Sequence, residues 1–229
     1  MTEIFAPYKW EALFARWPDI LAAFGMTAAI SALALVIALV LGFVFGVFAV
    51  SRFRILRALT RVYVETVQNI PLLLQVFVLY AVFPLLGLTI VSFWIGVIAI
   101  GAYHGGYMSE VVRSGIGSVH RGQFEAAKSQ GFSPVQTMTL IILPQALRNM
   151  VPALLSQFVT TIKDTSYLWG AMALQELMGR GMILMNSYNS TVQIFAIFAL
   201  MALIYFVVCF TLSQIVRAYQ RRLKEARAA

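Results

Sequence analysis

From residue 20 to residue 51 the chain carries no Asp, Glu, Lys or Arg, a run of 32 residues. About 20 apolar residues suffice to cross the hydrocarbon core of a bilayer, so this run predicts one transmembrane helix with room for tilt. A second uncharged run, residues 66–109, holds 44 residues and is interrupted by Phe83-Pro84-Leu85-Leu86-Gly87. Proline and glycine there predict a turn between two spans, about 66–84 and 89–109. Residues 192–216 give the last clear span. One stretch is ambiguous by length: only 14 uncharged residues separate Arg148 from Lys163, with Pro152 near their start. Length alone favours a buried or re-entrant segment there.

The placement of charge argues that this short stretch crosses. Four Arg lie in the connection 52–61; Arg113, Arg121, Lys128 and Arg148 mark the longest connection; Arg217, Arg221, Arg222, Lys224 and Arg227 crowd the tail. If these all face the cytoplasm, 13 of the 17 basic residues lie inside, against Lys9, Arg16, Lys163 and Arg180 outside. The outer side then holds five of the nine acids, Glu3, Glu11, Asp19, Asp164 and Glu176. This is the positive-inside bias, and it requires residues 146–162 to cross, because otherwise the basic tail lands outside. The pattern therefore predicts five spans (about 20–51, 66–84, 89–109, 146–162 and 192–216), an outer N-terminus and a cytoplasmic C-terminus. The whole chain, residues 1–229, reads as a single all-α membrane domain.

Composition agrees. Hydrophobic residues make up 61% and charged residues 11% of the 229, against about 25% charged in soluble domains. The net charge of +8 is then mostly an orientation signal, and nucleic acid is not an expected partner. Cys209 is the only cysteine and His104 and His120 are the only histidines, so neither a disulfide framework nor a metal site is expected. The first 19 residues, with Glu3, Lys9, Glu11, Arg16 and Asp19, lack the basic start and short apolar core of a cleavable signal.

The connection 114–144 is long enough to carry its own structure. Residues 123–130 are helix-compatible, Gly131 can end that helix in a left-handed conformation, and Ser133-Pro134 offers an N-cap followed by proline at the first helical position. A second helix is expected to run from Pro134 until Pro144 stops or kinks it. From the residues alone this is either a docking knob for another protein or an ordinary capped hairpin without one.

The same residues carry a resemblance. Glu125-Ala126-Ala127, Gly131 after three residues, and, nine residues further, Ile141, Leu143 and Pro144 resemble the EAA signature of permease subunits of bacterial ABC importers. Tyr63 to Leu73 (Tyr-Val-Glu-Thr-Val-Gln-Asn-Ile-Pro-Leu-Leu), Ala102-Tyr103, Ser109 to Ile116 and Lys163-Asp164-Thr165-Ser166 are similar to the polar amino-acid branch, which often has Arg where Gln68 stands. The resemblance implies a type I importer permease fold whose loop forms coupling helices in a groove of an ATPase subunit, with Glu125, Ala126, Ala127, Gly131 and Pro144 as coupling residues. It also implies partner ABC ATPases, a second permease subunit, an extracytoplasmic solute-binding protein, a place in the bacterial inner membrane, and a polar amino acid or opine-like derivative as solute.

A path for such a solute needs polar groups inside the bundle. Candidates are Gln68, Asn69 and Gln75, with Gln68 and Gln75 seven apart on one helical face, then Gln157 and Thr160 of a stripe with Ser156. Lys163, Asp164 and Ser166 follow near the outer end. Asp164 can receive an ammonium and Lys163 a carboxylate; both can equally face outer water. Glu110 and Arg113 are spaced to pair on one face. Gly42 and Gly46, and His104-Gly105-Gly106, read as close helix crossings. No Gly-x-x-x-x-Gly-Lys-Ser/Thr sequence and no catalytic constellation is present, so the chain is not expected to be an enzyme or to bind a cofactor, ATP being left to a partner. The rival class, a secondary transporter or channel, would call for intramembrane acids and an internal repeat.

Overall fold

The structure, a computed structural model, describes residue 11, residues 14–188 and residues 190–228. Glu3 and Lys9, two of the charges assigned to the outer side, lie outside the described residues. Those residues form an all-α fold without strands. The helices are α1 (Trp17–Ala49), α2 (Arg54–Asn69), α3 (Leu72–Leu85), α4 (Ser92–Gly117), α5 (Arg121–Ser129), α6 (Pro134–Asp164), α7 (Tyr167–Met172), α8 (Leu177–Asn186) and α9 (Thr191–Ala228).

Three helices, α1, α6 and α9, are long and apolar enough to cross a membrane, and α2 with α3 makes a fourth if taken as one broken span. Helix α4, whose 26 residues include His104, Glu110, Arg113 and several glycines, is not among them. The expected span 66–84 is divided. Pro71 has no N–H and drives the residue before it out of the helical region, so Ile70 caps α2 in an extended conformation (φ −108°, ψ 127°) and α3 restarts at Leu72. The connection 52–61, read as a loop, is mostly the first turns of α2. After α3, Gly87 adopts φ +73°, and Leu88 N–H bonds to Phe83 C=O at 2.9 Å, closing the expected turn.

Of the two outcomes expected at Pro144, a stop or a kink, the stop does not occur. The segment Thr137–Ile142 is a π-helix, in which Leu143 N–H reaches Met138 C=O, five residues back. The widened turn makes room for the proline ring and its missing donor, so one helix runs from Pro134 to Asp164. This 31-residue helix is long enough to span, which 14 uncharged residues did not foretell.

Within the chain two compact units are distinguished. One comprises Met1–Ala34, Leu72–Ile100 and Val159–Gln214. Its core packs Ile20 against Leu177, Leu184, Met185, Ile197 and Met201. The other comprises Leu35–Pro71, Gly101–Phe158 and Ile215–Ala229, and its core joins Val112, Ile116 and Val119 to Ile142, Ala146 and Met150. In this second unit α1 and α4 approach closely. A Cβ on Gly46 would sit 2.5 Å from Val112 Cβ and 2.9 Å from the Ser109 carbonyl, and one on Gly42 would overlap Met108 Cβ. Gly105 and Gly106 likewise admit Tyr63 with Leu41, and Val67, in keeping with the close-crossing reading.

Gly46→Val is therefore expected to lower stability by about 1–3 kcal/mol through overpacking. Gly25→Ala has nothing within 4 Å of the new Cβ and is expected to be neutral or stabilising by up to ~1 kcal/mol. Unfolding of the detergent-solubilised variants measures both.

Candidate functional site

The connection that carries the EAA residues is a rigidly capped hairpin. His120 begins α5, its Nδ1 accepting from Gly122 N–H at 3.1 Å. The helix ends in a Schellman motif: Phe132 N–H bonds to Ala127 C=O and Gly131 N–H to Lys128 C=O, both at 3.1 Å, with Gly131 at φ +81°. A Cβ at Gly131 would meet nothing within 4 Å, so backbone conformation and not space demands glycine there. Two residues on, Ser133 and Gln136 form a complete capping box, with Pro134 at the first turn.

Each predicted coupling residue can be placed on this frame. Glu125 is exposed and holds Arg121 Nε at 3.3 Å, a weak surface pair. Ala126 is exposed whereas Ala127 is buried, so the hairpin packs on one alanine and presents the other. Pro144 lies exposed at the end of the π segment. Gln145 Nε2 donates to Gln123 Oε1 at 3.2 Å, and Asn149 Nδ2 donates to Ser118 Oγ at 2.8 Å. These bonds tie the hairpin to α6 and to the end of α4.

The candidate path residues distribute over both units. Gln68 and Asn69 close α2, and Asn69 Nδ2 donates to Glu65 C=O at 2.7 Å. Gln75 is half-buried on α3, so its spacing of seven from Gln68 does not put the two on one helical face; Pro71 has ended α2 between them. On α6, Gln157 Oε1 lies 3.3 Å from His104 Nδ1, and Thr160 is half-buried three residues on. Lys163 is exposed and Asp164 half-buried at the end of α6. Ser166 Oγ donates to Lys163 C=O at 2.8 Å. Glu110 and Arg113 form the pair their spacing suggested, a fork with Arg113 Nη2 at 2.7 Å.

One residue counted only as an outer charge turns out to be fully buried. Glu176 N-caps α8, accepting from Met178 N–H at 3.0 Å and Gly179 N–H at 2.9 Å. Tyr205 Oη at 3.0 Å and Thr27 Oγ1 at 3.2 Å donate to the same carboxylate, and Thr27 in turn accepts from Leu177 N–H. Burial pushes the carboxyl above its ordinary range, and the backbone and hydroxyl donors pull it part of the way back. Nearby, Asp19 Oδ2 holds Arg180 Nη2 at 2.6 Å, so two acids fasten α8 within its unit. The loop leading into this knot holds Ala173 at φ +53°, a conformation that costs a non-glycine residue roughly 1–2 kcal/mol. An isolated acid between apolar stretches was the available signal in the sequence.

All-α, apolar along its long helices and carrying this capped connection, the chain is a polytopic membrane protein built around a structured loop. Residues 38–225 match the family model described as "binding-protein-dependent transport system inner membrane component", and the chain belongs to that family. Among its relatives is the probable glutamine ABC transporter permease protein GlnP of Bacillus subtilis (strain 168), 34% identical over 94% of this chain and 96% of that one. The arginine transport system permease protein ArtQ of the same organism is 31% identical over 90% and 93%. A solved structure titled as an amino acid ABC transporter with histidines superimposes with a TM-score of 0.82 at 27% identity, over 92% of this chain and 97% of that one. An inward-facing MetNI methionine ABC transporter shares the fold, with a TM-score of 0.64 at 19% identity over 91% and 97%.

Glu176→Ala is expected to cost about 1–3 kcal/mol for each buried donor it strands, and Ala173→Gly to return roughly 1 kcal/mol. Thermal unfolding of the purified chain reads both; a Glu176→Ala variant as stable as the parent would contradict the role given to the knot.

Proposed function

We propose that this chain is the permease subunit of an ATP-driven importer that passes a polar amino acid into the cytoplasm. The observation that carries the reading is the capped EAA hairpin at the head of α6, on a chain whose full-length relatives are named as glutamine, cystine and arginine permeases. In this reading the N-terminus is outside and the C-terminus inside, as the charge bias favours. Five spans cross, α4 among them. Residues 125–131 dock on ATPase subunits that hydrolyse ATP, a second permease subunit completes the pore, and an outer binding protein delivers the solute. The ATPases act as ligands with different affinities for the inward-open and outward-open states, and that difference does the work of switching. Membership in a binding-protein-dependent family leaves the secondary-transporter reading without support.

Helix α6 runs unbroken from the hairpin to Lys163 and Asp164, so movement at its head is carried to its far end. In this reading Asp164 takes the solute's ammonium and Lys163 its carboxylate, and Gln157, Thr160, Ser166, Gln68, Asn69 and Gln75 are the further polar residues it assigns to the path.

Proteoliposomes holding this chain with its ATPase and binding protein are expected to take up labelled glutamine or arginine only with ATP. Gly131→Trp forces a bulky residue into a left-handed backbone and is expected to abolish uptake while membrane insertion stays normal. Normal uptake by a correctly assembled Gly131→Trp complex would sink the coupling claim. Asp164→Asn removes a charge-assisted bond of about 1.5–3 kcal/mol, expected to cut uptake at low solute roughly tenfold or more.

A further inference from the structure

Helix α2 is divided lengthwise into three sectors. Thr60, Val64 and Val67 are buried. Ile55, Leu59 and Val62, spaced four and three apart on one face, are 74%, 54% and 66% exposed. The third sector holds Arg54, Arg57, Arg61, Glu65 and Gln68, the last also assigned above to the solute path, and with Glu110 and Arg113 of α4 it lines a cleft of about 600 Å³.

The charges in that cleft do not balance. Arg113 is taken by its fork with Glu110. Arg61 has only a loose contact with Glu65, 3.9 Å apart with both side chains more than two-thirds exposed. Arg57 Nη1 donates to the Ser51 carbonyl at 2.7 Å, which fixes the side chain without neutralising it. Neither Arg54 nor Arg57 has a carboxylate partner among the described residues. Two guanidinium groups one helical turn apart thus face a cleft with four cations and two anions on its walls. An apolar stripe runs along the same helix, in a chain that resides in a bilayer.

We propose that this cleft binds the phosphate of an anionic phospholipid headgroup. Arg54 and Arg57 hold the phosphate through charge-assisted N–H donors, a geometry guanidinium groups suit better than ammonium groups. The acyl chains leave the cleft and lie on Ile55, Leu59 and Val62. Basic pockets beside membrane helices take anionic headgroups for this reason, whereas a zwitterionic lipid offers no net charge to match the excess of two. The inference does not depend on which solute is carried or on the side of the membrane assigned to α2.

Native mass spectrometry of the full chain in detergent, titrated with phosphatidylglycerol or phosphatidylcholine of equal chain length, tests it. Phosphatidylglycerol adducts are expected to survive at energies that strip phosphatidylcholine. Arg54→Gln with Arg57→Gln is expected to lower phosphatidylglycerol occupancy roughly tenfold or more. A variant with Arg217, Arg221 and Arg222 changed to Gln serves as a control that keeps the preference. Equal retention of the two lipids, a preference lost with the tail and not the cleft, or displacement of the lipid by millimolar inorganic phosphate would each overturn the proposal. So would a shift in oligomeric mass on changing the two cleft arginines, because a second protein copy would then be what covers them.

Discussion

Pro144 sets the constraint on which helix α6 depends. A proline inside a helix removes one donor and pushes its ring at the carbonyl of the preceding turn. The π segment Thr137–Ile142 absorbs both problems by widening the turn ahead of the ring. Because it does, the capped hairpin and the polar end of α6 belong to one helix. Ile142, Ala146 and Met150 then lie on the buried side of that helix and pack on Val112, Ile116 and Val119. A helix that stopped at Pro144 would leave the hairpin as a free appendage.

The same demand for satisfied polar groups explains the other internal knot. Glu176 is an expensive residue to bury, and it is kept by four donors, two of them N–H groups in the first turn of α8. It acts as helix cap and as fastener of α8 to Thr27 and Tyr205. Arg180 and Asp19 repeat the fastening at a half-buried position. Both pairs belong to the unit whose core is formed by Ile20, Leu177 and Ile197, so apolar packing and polar ties hold the same helices.

What the sequence made legible followed from local rules. Gly131, Ser133 and Pro134 lie close together in sequence, and the helix end and N-cap read from them formed; the reach of Gln136 back to the Ser133 N–H, which completes the capping box, was not read. Long uncharged runs marked α1 and α9 for the same reason: crossing a bilayer needs little beyond length and apolarity. Features that need distant partners or competing backbone geometries were not legible. Pro71 interrupts a run that is uncharged on both sides, and composition drew attention to Pro84 instead. The burial of Glu176 depends on Thr27, 149 positions earlier, and Tyr205, 29 later. The π segment has no residue signature of its own, only the proline that follows it. Of the path residues, Gln157 gained a neighbour in His104 that no spacing argument could have supplied.

We propose that charge placement turns the hairpin at the head of α6 to the cytoplasm, where an ATPase can grip it, and leaves α8 on the outer side. Cys209 is the only cysteine in the chain, so a Cys209→Ala background allows single reporters to be read without interference. Labelling of the Gln130→Cys and Asn186→Cys variants with a membrane-impermeant maleimide, in intact spheroplasts and after permeabilisation, measures the claim directly, since both positions are exposed. The account predicts that Asn186→Cys reacts in intact spheroplasts and that Gln130→Cys reacts only once the membrane is opened. Labelling of Gln130→Cys from the outside would contradict it.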